Sequence, residues 1–331
     1  MTNVFISILN WNDAASTLRC VHAVQQSAVS NDVSVTLVVL DNGSNPTDWA
    51  ALQQGLTNTA VILLHQEINT GFASGHNVVI RQAIDRQADY IWLLNNDAVV
   101  KPDTLNGLIQ VISKIPTCGV VSPLIYALHD EKIIDFLGAI EDWKNLDSTA
   151  AATPDIAARM QESHPNEFFV WGTAPLIRTT AITATGLLNE KLFAYYEDDD
   201  LCARLTKAGW SSRMAFSVAI QHNRRKSDFE ERPCYYFYLM ARNSLHFYLH
   251  HTPPKFRNWI RLRLFSRAMI RAANLRAHGL DKKSDACLLG VWDGLFGRYG
   301  PPKLTIAPPI FLRWISNAFP YRLQQWLDAD K

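Results

Sequence analysis

The sequence predicts an α/β fold, a mostly parallel central sheet flanked by helices, with a helical extension rich in aromatic and basic residues at its C-terminal end. Three observations lead there. Short apolar runs, Val4 to Leu9, Val33 to Leu40 and Tyr90 to Leu94, alternate with segments of helical spacing, and strand–helix–strand order implies parallel pairing through crossovers. Each run stops at a polar cluster, Asn10-Trp11-Asn12, Asp41-Asn42-Gly43-Ser44 or Asn95-Asn96-Asp97; open parallel sheets bind ligands beyond such strand ends. From Arg232 to Leu280 there is no Asp or Glu among nine Lys and Arg residues, so the C-terminal third faces a different partner.

The totals set the class. A chain of 331 residues with 48% hydrophobic content can bury a sizeable core as one large domain, or one domain plus a smaller appendage. The net charge of +1 conceals the basic C-terminal segment, because the remainder then carries about minus eight on the same counting. Five scattered cysteines without a CxxC pair suggest neither a disulfide framework nor a zinc site, and fit a reducing compartment. The N-terminal residues lack the pattern of a secretory signal, and no run approaches the roughly 18 apolar residues of a spanning helix. A cytoplasmic protein is expected, and nucleic acid is not among the expected partners.

In chain order, Val4 to Leu9 reads as a buried strand and Leu18, Val21, His22 and Val24 as a helix. Val33 to Leu40 is a second strand, stopped at Asp41. An Asp there accepts a hydrogen bond from a nucleobase or ribose, although Asp-Asn-Gly-Ser is also good turn chemistry on its own. Val61 to Leu64 is a third strand. After it, Gly71 and Gly75 precede a helix through Val78, Val79, Ala83 and Ile84, where backbone N–H groups can approach a phosphate; the pattern is neither a Walker loop nor GxGxxG. Tyr90 to Leu94 ends in Asn95-Asn96-Asp97, a triplet suited to a metal-bound diphosphate and equally to a solvated turn. Pro102 to Ile115 is a helix and Gly119 to Ser122 a strand. From His129 to Glu167 the pattern weakens into mobile loops with a hairpin around Ile133 to Trp143, before Phe168 to Gly172 restores strand character. Phe216 to Ile220 is a last strand delivering His222, with Arg224, Arg225, Lys226 and Ser227 behind it.

Four acids, Glu197, Asp198, Asp199 and Asp200, follow Tyr195-Tyr196 and open a short helix through Leu201, Arg204 and Leu205 that Gly209 closes. A helix N-terminus favours ionised carboxylates, so an Asp there can serve as an aimed base. Capping alone also accounts for an Asp at that position.

Taken as an ordered set, LNWN, VVLDNGS, NTGFASGHN, LLNNDAVV, FVWGTAPLIR, AYYEDDDLCARLTKAGW, QHNRRKS and YYFYLMARN resemble the family 2 glycosyltransferases, inverting enzymes of the GT-A fold, and most closely their bacterial rhamnosyltransferase-like branch. The resemblance runs from about Val4 to Asn243. It implies a GT-A catalytic domain over residues 1–230, with a nucleotide-sugar half over about 1–125 and an acceptor half over about 126–230, followed by a helical region over 231–331. By the same resemblance Asp41 contacts the donor nucleobase with Asn42 beside it, and Asn10 and Asn12 belong to the neighbouring loop. Gly71, Gly75 and Asn77 lie near the donor, and Asn95, Asn96 and Asp97 form the DXD-type triplet. Asp97 and His222 are the implied ligands of a divalent metal, Mn²⁺ or Mg²⁺; Asp198 is the implied catalytic base, with Glu197 before it. Asn95 stands where many relatives carry the first Asp, leaving a single carboxylate in the triplet.

The resemblance implies transfer of a sugar, dTDP-rhamnose or another deoxysugar nucleotide being the expected donor, to a polysaccharide or polyprenyl-diphosphate-linked glycan in surface polysaccharide synthesis. A sugar nucleotidyltransferase would need a glycine-rich basic N-terminal loop, and Asn10-Trp11-Asn12 stands there instead. A non-catalytic binder of nucleotide sugars or polysaccharide is the other alternative. In the extension, Tyr235 to His250 reads as an aromatic helix. Residues 256–277 place Trp259, Leu262, Phe265, Met269 and Ala273 on one face and Arg257, Arg261, Arg263, Arg267 and Arg271 mostly on the other. That pattern suits an interfacial helix on the anionic inner face of a cell membrane, or a helix packed on the protein with a solvated basic side.

Overall fold

A computed structural model of the chain describes residues 1–128, 130–223, 231–322 and 325. The described residues fall into two compact units, the first drawn from 1–142, 147–190 and 197–223, the second from 143–146, 191–196 and 231 onward.

The first unit is an α/β sheet protein. β1 (Thr2–Asn10), β2 (Val33–Asn42), β3 (Ile62–Gln66) and β4 (Tyr90–Asn95) run parallel in the order β3-β2-β1-β4, joined by α1 (Ala14–Gln25), α2 (Pro46–Gly55) and α3 (Phe72–Asp85). Val4, Phe5, Ile6, Ser7 and Ile8 are all buried, as expected for a central parallel strand covered on both faces. α2 begins at Pro46, where Asn45 caps the Thr47 and Asp48 N–H groups, so the turn chemistry after Asp41 starts a helix. The sheet continues past a short β5 (Ala98–Val100) and α4 (Thr104–Lys114) through β6 (Cys118–Ala127).

The weakly patterned stretch forms regular elements. β7 (Asp130–Phe136) folds back on β6 as an antiparallel hairpin. β8 (Ala139–Asp142), β9 (Asp147–Ala150) and, after α5 (Pro154–Ser163), β10 (Phe168–Phe169) make a separate three-stranded sheet. The predicted hairpin is therefore one strand too late: β7 pairs with β6 and not with β8. Strand character at Phe168 ends after two residues, and the chain reaches β11 (Leu176–Arg178), α6 (Thr179–Thr185), α7 (Glu197–Lys207) and β12 (Ser211–His222). β11 is antiparallel to both β4 and β6, β12 is parallel to β6, and β5 closes the edge antiparallel to β12. Half of the main sheet is thus mixed, with β5, β7 and β11 each antiparallel to their partners.

The second unit is helical, with α8 (Cys234–His251), α9 (Arg257–Ala277), α10 (Asp281–Leu295) and α11 (Ile310–Ala318). α10 lies so close on α8 that a Cβ on Gly290 would come within 2.1 Å of the Tyr238 carbonyl oxygen, so only glycine fits. α9 buries Ile260, Leu264, Ala268, Met269, Ala272 and Leu275, a stripe rotated from the predicted face; Leu262 is exposed. The shift arises because α9 packs on α8, α10 and α11, and one sequence stripe cannot reveal three neighbours. Arg267 is also not a solvated cation, since its guanidinium donates to the carbonyls of Asn145 and Leu146. Four cysteines, Cys20, Cys118, Cys202 and Cys287, are buried, with burial pushing the Cys118 and Cys287 thiols up to about 11; Cys234 is half-buried. Among the described residues no helix is long and apolar enough to cross a membrane.

Within this unit lies a strained turn. Phe193, Tyr195 and Tyr196 have φ of 65°, 68° and 71°, a left-handed conformation unfavourable for aromatic residues. The buried Asn243 amide donates to the carbonyls of Leu192, Ala194 and Tyr195 at 2.8, 2.8 and 2.9 Å, and buried Arg242 adds a bond to Leu192 O. Replacing Asn243 by Leu takes the amide donor from the Ala194 and Tyr195 carbonyls and the Oδ1 acceptor from Arg242 Nε, while Leu192 O keeps its bond to Arg242; each such loss costs about 1–3 kcal/mol. Asn243→Leu is therefore expected to lower stability by on the order of 3 kcal/mol in urea denaturation, and a loss below about 1 kcal/mol would show that the turn does not depend on this amide.

Candidate active site

The register of β1 against β2 sets Asn10 beside Asp41, and β1 against β4 sets Leu9 beside Asn95, so three polar strand ends meet at one edge. Asn10 and Asp41 are fully buried. The Asn10 amide donates to Asp41 Oδ1 and Asp48 Oδ2, each at 2.8 Å, and its oxygen accepts from Thr17 at 2.6 Å. Asp41 Oδ2 accepts from the Ser44 N–H at 3.2 Å and lies 3.0 Å from His65 Nδ1. The His65 ring stacks on Trp49 with centroids 4.4 Å apart. Asn12, with φ 54°, accepts from the Asn45 backbone and amide and closes the surface side of this corner. Asn42 is turned the other way, bonding Thr70, Asn69 and the Gly71 carbonyl so that it fastens the loop ahead of α3.

The glycine segment divides in two. Gly71 has φ 93° at the N-cap of α3, a conformation open chiefly to glycine. Gly75 allows α3 to approach the sheet, since a Cβ there would meet Leu9 at 2.6 Å. Asn77 is buried and both ends of its amide hold the Leu188 backbone, with a further bond to Glu190. Gly75 and Asn77 thus shape the fold behind the loop, while Gly71 lies on the Asn42 corner.

At the end of β4, Asn95 donates its N–H to Thr173 O at 2.9 Å, and Asn96 reaches Thr17 at 3.1 Å. Asp97 Oδ1 lies 3.1 Å from His222 Nε2, which β12 delivers through its pairing with β5. His222 Nδ1 lies 2.7 Å from Asp135 Oδ2. Burial pushes the imidazole down, but the hydrogen bonds and charges of Asp135 and Asp97 outweigh it and hold the group up at about 9. Among the described residues no cluster of three or more His, Cys, Asp or Glu forms a cage for a metal. Asp97 and His222 nevertheless fit a shared divalent cation that takes its other ligands from a diphosphate: two ligands at right angles with bonds of about 2.1 Å stand about 3 Å apart. The basic residues Arg224, Arg225 and Lys226 lie outside the described residues.

Glu197 and Asp198 open α7. Glu197 is buried, and Asp198 Oδ2 accepts the Gly172 N–H at 2.7 Å while Oδ1 accepts the Asp199 N–H at 3.0 Å. Burial raises the Asp198 carboxyl, and those backbone donors oppose the rise. Asp199 is raised much further by burial and by the charges of Asp198, Glu141, Glu197 and Asp200. The two adjacent acids titrate as a coupled pair, and only Asp198 has the Gly172 N–H to favour its charged form. Asp200 instead pairs with Arg204 at 2.8 Å, so the four acids have separate tasks. The 171–173 segment ties the regions together: Thr173 holds the Asn95 backbone, Gly172 holds Asp198, and the exposed Trp171 stacks flat on Phe136 at 4.0 Å. The sequence does not single out His65, Asp135 or Trp171; only Gly172, a glycine closing an expected strand, carries a signal there.

A family model described as "Glycosyltransferase like family 2" matches residues 2–244. The chain is similar to N-acetylglucosaminyl-diphospho-decaprenol L-rhamnosyltransferase of Mycobacterium tuberculosis, 27% identical over 218 residues that span 60% of this chain and 70% of the relative. Among solved structures it resembles mannosyltransferase PcManGT from Pyrobaculum calidifontis, in complex with GDP-Man and Mn²⁺, at TM-score 0.56 and 14% identity, covering 89% of this chain and 87% of that one. It also resembles residues 1–349 of TarS from S. aureus, at TM-score 0.51 and 13% identity, covering 100% and 92%. Strand ends bearing Asp41 and Asp97, an acidic helix start at Asp198 and a match over nearly three quarters of the sequence place this chain in glycosyltransferase family 2, with the GT-A fold.

Proposed function

We propose that the chain is an inverting, metal-dependent glycosyltransferase that moves rhamnose or another deoxysugar from a nucleoside diphosphate to a hydroxyl of a polysaccharide or lipid-linked glycan. The observation that carries this reading is the Asp198 carboxylate anchored by Gly172 in the same unit as the Asp97–His222 pair. The lipid-linked acceptor and the deoxysugar rest on the mycobacterial relative's name.

The Asp41, Asn10 and His65 corner would hold the nucleobase, and Asp97 and His222 the cation. A bound divalent cation would neutralise the diphosphate as it leaves. Asp198 takes the proton of the acceptor hydroxyl as that oxygen bonds to the anomeric carbon from the face opposite the breaking C–O bond, so configuration inverts in one step. Burial makes Asp198 a stronger base than an exposed Asp, and the Gly172 and Asp199 N–H groups keep it aimed. The enzyme would work on the cytoplasmic face of the membrane, where exposed Arg257, Arg261 and Arg271 of α9 suit anionic lipid.

Nucleotide release from UDP-, dTDP- and GDP-sugars, measured with Mn²⁺ and a bacterial membrane extract as acceptor source, is expected with one donor class. Asp198→Asn should lower it by on the order of 10²- to 10⁴-fold while nucleotide binding persists. Equal turnover by the variant would remove Asp198 as the base; nucleotide binding without turnover by either protein would favour the non-catalytic binder.

Cation binding to His222 needs its Nε2 lone pair and so competes with a proton. With the imidazole held up at about 9, Mn²⁺ affinity of the nucleotide-loaded protein should tighten by up to about tenfold per unit between pH 6.5 and 8.5. In the metal-free protein the sign is opposite: the stabilisation from charged His222 is fully present below pH 6.5 and fades as pH rises through about 9. An unchanged slope of Mn²⁺ affinity in His222→Gln would exclude this histidine as the ligand.

Changing Arg257, Arg261 and Arg271 together to Glu should weaken binding to phosphatidylglycerol vesicles by on the order of 100-fold at low salt. Equal binding of wild type and variant by flotation would sink the membrane-surface assignment.

A further inference from the structure

We propose that Asp135 is a positioning residue that fixes the His222 tautomer and so presents Nε2 to a divalent cation. This rests on the reading of Asp97 and His222 as the cation ligands. A carboxylate only accepts, so Asp135 Oδ2 at 2.7 Å assigns the hydrogen to Nδ1 and leaves Nε2 to offer its lone pair when the ring is neutral. The other tautomer would carry its hydrogen on Nε2, donate to Asp97 Oδ1 at 3.1 Å, and close the place where the cation bonds. Of the two neutral tautomers, Asp135 therefore selects the one that leaves Nε2 without a hydrogen to give to Asp97. Metal-binding histidines commonly use the second ring nitrogen in this manner, and the carboxylate raises the basicity of the ligating one.

The fold holds this carboxylate in place from both sides. β6 carries β12 along one edge, pairing Ala127 with His222, and β7 pairs with the same end of β6, so Asp135 reaches across to the histidine ring. Its side chain is 7% exposed. The next residue, Phe136, is buried and stacks on Trp171, with 4.0 Å between centroids and 7° between planes. Asp135 itself touches neither donor nor acceptor in this assignment; it acts through His222.

The test is Mn²⁺ affinity of the dTDP- or UDP-loaded full-length protein, read by electron paramagnetic resonance, beside nucleotide affinity without metal and thermal stability. Asp135→Asn keeps an acceptor but loses the charge; Asp135→Leu loses both. The expected order is wild type, then Asn, then Leu, with the Leu variant weaker by about 10- to 100-fold and metal-free nucleotide affinity unchanged in each. His222→Ala serves as the reference. Mn²⁺ affinity within twofold of wild type in Asp135→Asn and Asp135→Leu, with a large loss in His222→Ala, would overturn the role of Asp135 alone. No loss in His222→Ala would overturn the histidine as ligand and the proposal with it. If the Leu variant does not fold, the isosteric Asn variant decides: a loss of at least threefold supports the proposal and a smaller one overturns it.

Discussion

The hydrogen bond from the Gly172 N–H to Asp198 is the constraint around which the first unit is arranged. An acid at a helix start is ordinarily free to swing in water; here one oxygen is held by the turn between β10 and β11 and the other by the helix backbone. The same segment bonds Asn95 through Thr173, so the acid and the Asp97 strand end share one rigid reference. Preorganisation of this kind avoids the cost of orienting a charged group at the moment of reaction, because the sheet has already been folded around it.

Much of this was legible because it depends on local sequence. The strands β1, β2 and β4 are continuous apolar runs with Asn10, Asp41 and Asn95 at their ends, and parallel pairing alone brings such ends together. The acids of α7 are consecutive in sequence, so their place at a helix start needs no tertiary information. His222 also follows a strand whose apolar character is evident.

What escaped the sequence depends on long-range pairing. Asp135 lies in a strand whose residues up to Ile133 are largely exposed, and its value comes only from the pairing of β7 and β12 with the same β6. His65 looks like any polar residue on a short strand until β2 and β3 align it with Asp41. The buried phase of α9 differs from the predicted one because three helices pack on it, which spreads its buried positions around the axis. Asn77 shows the reverse: a polar residue inside a glycine motif whose amide is consumed by the Leu188 backbone.

The distribution of thiols has a practical consequence. With Cys20, Cys118, Cys202 and Cys287 buried and their thiolates disfavoured, the first unit has no readily reactive sulfur, and Cys234 at the start of α8 is the accessible one. A maleimide fluorophore or spin label added to the unmodified chain would go to a single known place in the helical unit, giving a reporter there that leaves every residue of the sheet unit as nature made it.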